Sequence, residues 1–380
     1  MHLFLSAGEP SGDLHAANLA RELTRQAPGV RLAGFGGDRL ASTGTDVLYP
    51  LTDLAVMWLG RALLHLPKFL HLGAVAESYF RRMRPDAVIV VDFPGFHWHV
   101  ARIAHRYGIP VYYFVPPQLW AWMGWRVKRV KKHFRCVLTA LPFEETWYAE
   151  RGVRTHYVGH PYFDELAEQR LDESFLDERR AMPGPIVAIL PGSRTQEVTS
   201  NGPLLAEAAS RIAARRPDVR FLVAAYKPHQ AELMRGWLAS RNLNVEIQTG
   251  RTPEIIELAH CCMAVSGSVS LELLVRRKPS AIVYQVGRGF AFLARQLATV
   301  KYYTLVNLLA DRELMPEFFA EQVDANAVAN QLLMWLDNER AYADAVKQLT
   351  ELKAKVAIPG AVERAAEFIL HDLQSKTASA

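Results

Sequence analysis

The chain has 380 residues, half of them hydrophobic and 22% charged, which supports sizeable buried cores and excludes a disordered or fibrous protein. Its length makes two domains the natural expectation. The 44 Lys and Arg against 39 Asp and Glu leave a formal charge of +5, an excess that suits anionic substrates or an anionic membrane surface but decides nothing alone.

Cys136, Cys261 and Cys262 have no metal-site spacing and read as buried thiols in a reducing cytoplasm. No run reaches the roughly 18 apolar residues that span a bilayer. The five-residue apolar lead lacks a basic region, so no cleaved leader is expected. A soluble or peripheral protein follows as the expectation.

In chain order the pattern is strand, small-residue turn, helix, repeated. Leu3 to Ser6 reads as a strand leading through Ser6-Ala7-Gly8-Glu9-Pro10-Ser11-Gly12-Asp13 into a helix from Leu14 to Gln26. Val30 to Phe35 is a second strand, ending in Gly34-Phe35-Gly36-Gly37. Ala87 to Val91 is an unbroken apolar run, the mark of a strand buried on both faces of a parallel sheet. Val111 to Val115, Cys136 to Thr139 and Thr155 to Val158 continue the series. Residues 165 to 183 are charged and close on Met182-Pro183-Gly184-Pro185, as a linker would. The alternation restarts with Ile186 to Leu190, Arg220 to Ala224, Val245 to Ile247, Cys262 to Ser266 and Ala281 to Tyr284. From Val323 the pattern is helical, interrupted at Pro359-Gly360.

The expected architecture is α/β: two Rossmann-like doubly wound domains facing a cleft. The expected boundaries are 1–166 and 167–352. A final helix over 353–380 either crosses back or is exchanged in a homodimer.

Two turns in the second half point to phosphate. Gly192-Ser193-Arg194 lies where a strand's carboxyl end meets a helix, so free amides, the helix dipole and the Arg194 fork favour an anion. Ser266-Gly267-Ser268-Val269-Ser270-Leu271-Glu272 is a second such turn, with hydroxyls as extra donors. An ordinary structural turn is the alternative for each. Neither matches a P-loop or GxGxxG pattern, which argues against an ATPase and a nicotinamide enzyme.

In the first half, Asp92 ends the apolar strand and is placed as a general base, a turn or cap Asp being the alternative. Glu9 and Asp13 flank another strand end and could equally be N-cap carboxylates. His97 and His99 lack further ligands, so no metal site is read there. No nucleophile elbow is present.

Two segments suggest lipid contact. The stretch from Leu54 to Val75 includes Met57, Trp58, Leu63 and Phe69 among scattered cations. Trp120, Trp122 and Trp125 then run into Arg126, Lys128, Arg129, Lys131 and Lys132. A core helix beside a solvated basic face is the alternative, and no nucleic-acid-binding module is recognisable.

Taken together, these motifs resemble the lipid-A-disaccharide synthase family, inverting glycosyltransferases of the GT-B fold. The resemblance runs from Leu3 to about Phe319. It rests on Ser6-Ala7-Gly8-Glu9 with Ser11-Gly12-Asp13, Leu54-Ala55-Val56-Met57, Trp120-Ala121-Trp122, Leu141-Pro142-Phe143-Glu144 and Val158-Gly159-His160-Pro161. In the second half it rests on Leu190-Pro191-Gly192-Ser193-Arg194 with Glu197, Ser266-Gly267, and Asn307-Leu308-Leu309 with Arg312-Glu313.

The resemblance implies transfer of a 2,3-diacylglucosamine unit from UDP to 2,3-diacylglucosamine 1-phosphate (lipid X), with inversion to a β-1,6 link and no metal or other cofactor. Asp92 matches the family's general base and Glu9 its N-terminal motif at the cleft, so both are expected to be catalytic. Gly192, Ser193, Arg194, Glu197, Ser266, Gly267, Ser268, Ser270, Glu272, Asn307 and Glu313 match its UDP-binding region. Met57, Trp58, Leu63, Phe69, Trp120, Trp122, Arg126 and Arg129 would face acceptor and membrane. A cytoplasmic protein, peripheral on the inner face of the inner membrane, is implied.

The chain departs from the family pattern at Pro10 (Ala there), at Gly95 and His97 (Asp and Asn), at Pro116 and Gln118 (Ser at both), and at Met123 (Arg). These positions all lie in the acceptor half. Three alternatives therefore stand beside the synthase: a related GT-B enzyme with another lipid acceptor, a UDP-sugar epimerase, and a non-catalytic paralogue.

Overall fold

The computed structural model describes residues 1–56, 66–239, 241, 243–285 and 300–377. The chain divides into two compact units, one formed by Met1–Glu165 with Ile358–Ala380 and the other by Leu166–Ala357.

In the first unit, β1 (His2–Ala7), α1 (Pro10–Gln26), β2 (Arg31–Gly36), α2 (Asp38–Ala41), β3 (Asp46–Pro50), α3 (Thr52–Val56) and α4 (Leu66–Met83) come first. They are followed by β4 (Ala87–Val91), α5 (Pro94–Arg106), β5 (Val111–Phe114), α6 (Val127–His133), β6 (Cys136–Thr139), α7 (Pro142–Ala149) and β7 (Thr155–Tyr157). The seven strands pair in parallel in the order β3-β2-β1-β4-β5-β6-β7. Every residue of β4 and β5 is buried, as a parallel sheet covered on both faces requires.

The second unit begins with α8 (Tyr162–Glu168) at the boundary and α9 (Glu173–Arg180). It continues through β8 (Ile186–Leu190), α10 (Thr195–Arg215), β9 (Arg220–Ala225), α11 (Pro228–Leu238) and β10 (Val245–Thr249). Next come α12 (Thr252–Leu258), β11 (Cys261–Val265), α13 (Val269–Val275), β12 (Ser280–Gln285), a short helix at Leu305–Ala310 and β13 (Glu317–Ala320). These six strands pair in parallel in the order β10-β9-β8-β11-β12-β13. Helices Ala325–Asp337 and Glu339–Val356 close the unit.

The segment read as a linker carries α9, whose N-cap Asp172 accepts the amide of Phe175. Its apolar residues Phe175 and Leu176 are buried, so this stretch is structure rather than spacer.

The last helix, Ala361–Thr377, packs on the first unit's sheet through Ile369 and Leu373. Asp164 caps it, its carboxylate accepting the amides of Gly360 (2.6 Å), Ala361 (3.1 Å) and Val362 (2.9 Å). At its other end Asp372 accepts the Tyr112 hydroxyl at 2.6 Å and pairs with Arg135 and Arg154.

Both sheets are doubly wound, and each reverses winding direction once. The reversal falls between β1 and β4 in the first sheet and between β8 and β11 in the second. In such sheets the crevice outside the strands' carboxyl ends at the reversal is where ligands bind.

Candidate functional site

In the first unit, Ala7 of β1 lies opposite Val91 of β4. The turns that follow, Gly8-Glu9 and Asp92-Phe93, are therefore neighbours. A Cβ on Gly8 would fall 2.2 Å from the Phe93 ring, and one on Gly12 would meet the Asp92 Cβ at 3.7 Å. Glycine at 8 thus permits the two turns to close against each other. Asp92 and Phe93 both adopt the left-handed region, with φ of +51° and +47°. For non-glycine residues this costs about 1–3 kcal/mol each and persists only when neighbours over-determine it.

The neighbours that do so are visible. The Asp92 carbonyl accepts His97 Nδ1–H at 2.6 Å and the Tyr113 hydroxyl at 3.0 Å. A carbonyl cannot donate, so Nδ1 carries the proton and Nε2 accepts from Ser6 Oγ at 2.9 Å. His97 is fully buried, and burial lowers its pKa to about 4, keeping the ring neutral. Asp92 and Glu9 are both half-buried, Glu9 at the N-cap position of α1. Asp13 serves a different helix: it is buried and accepts the amides of Gly37 (2.6 Å) and Arg39 (3.1 Å), capping α2.

The aromatic–basic segment divides in two. Trp120 is buried, its ring edge-on to Phe143 at 4.9 Å and its indole N–H donated to Glu144 at 2.9 Å. Glu144 also accepts the amides of Ala140 and Leu141, and burial pushes its carboxyl up to about 7. Phe69 packs against Phe93 and Phe96 at ring distances of 6.2 and 5.6 Å. Trp120, expected to face acceptor and membrane, is thus corrected to a packing role, because its ring is buried against Phe143 and its indole N–H is taken by Glu144, while Phe69 is half-buried. Trp122 is half-buried.

The residue that reaches solvent is Trp125, 60% exposed, with the Arg126 and Arg129 guanidinium groups 5.5 and 5.7 Å from its ring. Met123 beside it is exposed as well. Met57, Trp58 and Leu63 lie outside the described residues.

In the second unit, Leu190 of β8 lies opposite Ala264 of β11, so the two phosphate-type turns are also neighbours. Gly192 has φ of +107°, and a Cβ there would meet Glu197 at 2.6–2.8 Å. Only glycine combines that backbone with that approach. Glu197 reaches back to accept the amides of Ser193 and Arg194, both at 3.1 Å, and Arg194 Nη1 at 3.2 Å. Its carboxylate supplies the negative charge that the start of the 21-residue α10 attracts. Ser193 and Arg194 are exposed.

At the second turn Gly267 and Ser268 are exposed and Ser266 is half-buried, while Ser270 is buried with its hydroxyl on the Gly267 carbonyl at 2.9 Å. Glu272 is buried and paired with Arg276, which also binds Glu257.

Asn307 is fully buried and uses both ends of its amide. Its Oδ1 accepts the amides of Leu314 (2.8 Å) and Met315 (2.9 Å), and its Nδ2 donates to the Met315 carbonyl (2.7 Å) and Glu317 (2.9 Å). The exposed Glu313 sits on the segment that Asn307 shapes. Among the described residues no group of three His, Cys, Asp or Glu side chains could hold a metal ion.

Sequence reasoning missed Ser6 and Tyr113 as partners of Asp92, Glu144 as the anchor of Trp120, and Glu317 behind Asn307. For Glu144 the signal is a Glu in the first turn of a helix opened by Pro142, where a carboxylate can reach back to the free amides of Ala140 and Leu141. For the others no local signal exists.

Two doubly wound units, each with one reversal of winding, define the glycosyltransferase/epimerase architecture known as GT-B. Solved structures of that kind are similar along nearly the whole chain. A UDP co-structure of S. aureus MnaA has a TM-score of 0.70 at 13% identity, covering 98% of this chain and 97% of that one. The calicheamicin glycosyltransferase CalG4 scores 0.64 at 14% identity, covering 99% of each. Acinetobacter baumannii MurG scores 0.61 at 13% identity, covering 97% and 99%.

The family model for lipid-A-disaccharide synthetase matches residues 3–368. The lipid-A-disaccharide synthase of Anaeromyxobacter dehalogenans is 34% identical over 373 residues, covering 97% of this chain and 96% of the relative. That of Coxiella burnetii (strain CbuG_Q212) is 30% identical over 376 residues, covering 98% of each. The chain belongs to the lipid-A-disaccharide synthetase family, and it is a glycosyltransferase of lipid A biosynthesis.

Proposed function

We propose that the chain condenses UDP-2,3-diacylglucosamine with 2,3-diacylglucosamine 1-phosphate, forming the β-1,6-linked lipid A disaccharide 1-phosphate and UDP. The observation that carries this reading is the full-length family match together with a carboxylate, Asp92, at the winding reversal of the first sheet. In the proposed step the acceptor's 6-hydroxyl proton passes to the Asp92 carboxylate while O6 attacks the donor's C1. The C1–O bond breaks on the opposite face, and its electron pair leaves on the β-phosphate of UDP. Glu9, on the neighbouring turn, belongs to the same acceptor side.

Donor binding falls to residues 167–352. Ser193 and Arg194 would hold the diphosphate at the α10 N-terminus, with Ser266, Gly267 and Ser268 on the adjacent turn. Gly192, Glu197, Ser270, Glu272, Asn307 and Glu313 would shape those turns. The acceptor half, residues 1–166, would rest on the inner face of the inner membrane through Met123 and Trp125 with Arg126 and Arg129, an exposed aromatic in a cationic setting suited to anionic headgroups. No helix among the described residues is long and apolar enough to cross a membrane.

The test is an assay of purified protein in chelator with both lipid substrates, following disaccharide by mass spectrometry alongside UDP release. Equal amounts of the two products are expected. UDP binding without disaccharide would overturn the acceptor assignment and direct attention to Gly95, His97, Pro116 and Gln118, where the acceptor half departs from the family pattern.

A further inference from the structure

His97 is a fully buried polar side chain with both ring nitrogens in use, and both contacts end at the same crevice. One nitrogen holds the backbone of Asp92, the other the hydroxyl of Ser6 at the carboxyl end of β1. The rings of Phe93 and Phe96 pack against the imidazole at 5.8 and 6.2 Å. Tyr113, stacked on Phe134 at 4.9 Å, delivers a second hydrogen bond to the same Asp92 carbonyl. Asp92 and Phe93 have left-handed backbones, and any relaxation toward ordinary φ values would swing the Asp92 side chain away from its present direction.

We propose that His97 is the positioning residue for Asp92: as a neutral Nδ1–H donor braced by Ser6, and with Tyr113 as second brace, it locks the strained β4–α5 turn in the one conformation that aims the carboxylate at the acceptor hydroxyl. This rests on the reading of Asp92 as general base. Misplacing a catalytic group by about 1 Å costs on the order of 100-fold in rate, so the effect belongs in turnover. It does not belong in donor affinity, because the donor residues are on the other unit.

Geometry dictates the variants. In Asn the amide nitrogen is two bonds from Cβ, as Nδ1 is in His, so His97→Asn keeps the bond to the Asp92 carbonyl and loses only Ser6. His97→Leu loses both bonds while filling the volume. Turnover, both Michaelis constants and thermal midpoints would be measured for His97→Asn, His97→Leu, Asp92→Asn and the double variant Asp92→Asn/His97→Leu. His97→Leu is expected to lose roughly 10- to 100-fold in kcat with the UDP-sugar KM within about 3-fold. His97→Asn should recover most of that loss, and the double variant should be no slower than Asp92→Asn alone.

Wild-type turnover in His97→Leu would overturn the proposal. So would a loss that multiplies in full on the Asp92→Asn background, since His97 would then act on the fold at large. If Asp92→Asn itself retains wild-type turnover, the base reading fails first, and this is distinguishable because His97→Leu need not be active for it to be seen. Should His97→Leu not fold, Tyr113→Phe removes the second hydrogen bond and keeps the ring stack. A several-fold fall in kcat that vanishes on the Asp92→Asn background supports the proposal, and an unchanged kcat overturns it.

Discussion

The two winding reversals share a topology and have opposite chemistry. At the first, two half-buried carboxylates, Glu9 and Asp92, stand on turns fixed from behind by neutral groups: an imidazole, a phenol and a serine hydroxyl. At the second, the exposed groups are amides, hydroxyls and the Arg194 guanidinium, while Glu197 is turned onto the backbone amides and Glu272 is buried against Arg276. A base must be aimed and left able to take a proton, whereas a diphosphate must be met by donors. The same sheet edge can do either, and the side chains on two turns decide which.

The comparison breaks most visibly at Asp92. Asp92→Asn removes the proposed proton acceptor and retains the size, so kcat should fall by on the order of 100- to 10,000-fold while UDP affinity by calorimetry is unchanged. A parallel loss of UDP affinity would show that the two edges are not chemically separate.

The clamp behind Asp92 also makes the first unit acid-sensitive. His97 has a folded-state pKa near 4 against 6.5 unfolded, so the unfolded chain takes up the proton first as pH falls. Its stabilising contribution is present above pH 6.5 and is lost between there and pH 4. From pH 7 to 5 this amounts to about 2 kcal/mol. Urea unfolding at the two pH values should show that loss, and His97→Asn should reduce it. A pH dependence identical in the variant would mean that His97 does not titrate as its burial demands.

Much of this was legible in the sequence where one pattern had one physical meaning. The unbroken Ala87–Val91 run is β4, and the small-residue turns after β1, β8 and β11 mark the reversals. The missed strands are β3 and β13, both sheet edges whose half-exposed residues give no continuous apolar signal. Three tryptophans within six positions look alike in a sequence. Only packing against Phe143 and Glu144 removes Trp120 from the surface and leaves Trp125 upon it. Asn307 enters the UDP-binding region only through the family resemblance, and no local pattern shows that its amide hydrogen-bonds the backbone and Glu317. Ser6 and His97 are 91 residues apart and meet only because β1 and β4 are neighbours.

On the donor side the expected effects are smaller. Arg194→Ala removes an exposed guanidinium whose proposed charge-assisted hydrogen bond to a phosphate would be worth about 1.5–3 kcal/mol, so UDP-sugar affinity should fall roughly 10- to 100-fold with kcat at saturation changed less. An unchanged donor KM would take Arg194 out of the phosphate site.

Glu197 gives the finest test. Its carboxylate accepts the very amides of Ser193 and Arg194 that an incoming diphosphate would use, and it carries the same sign of charge. If it competes for them, Glu197→Gln should tighten UDP several-fold, because the like charge is gone, while a cap worth about 0.5–2 kcal/mol is weakened and the thermal midpoint drops slightly. If its role is to hold the loop in a shape the ligand requires, affinity should fall together with the midpoint. The two readings predict opposite signs for one calorimetric number, so the variant decides whether the second edge resembles the first in needing a brace, or differs from it in carrying a built-in stand-in for its ligand.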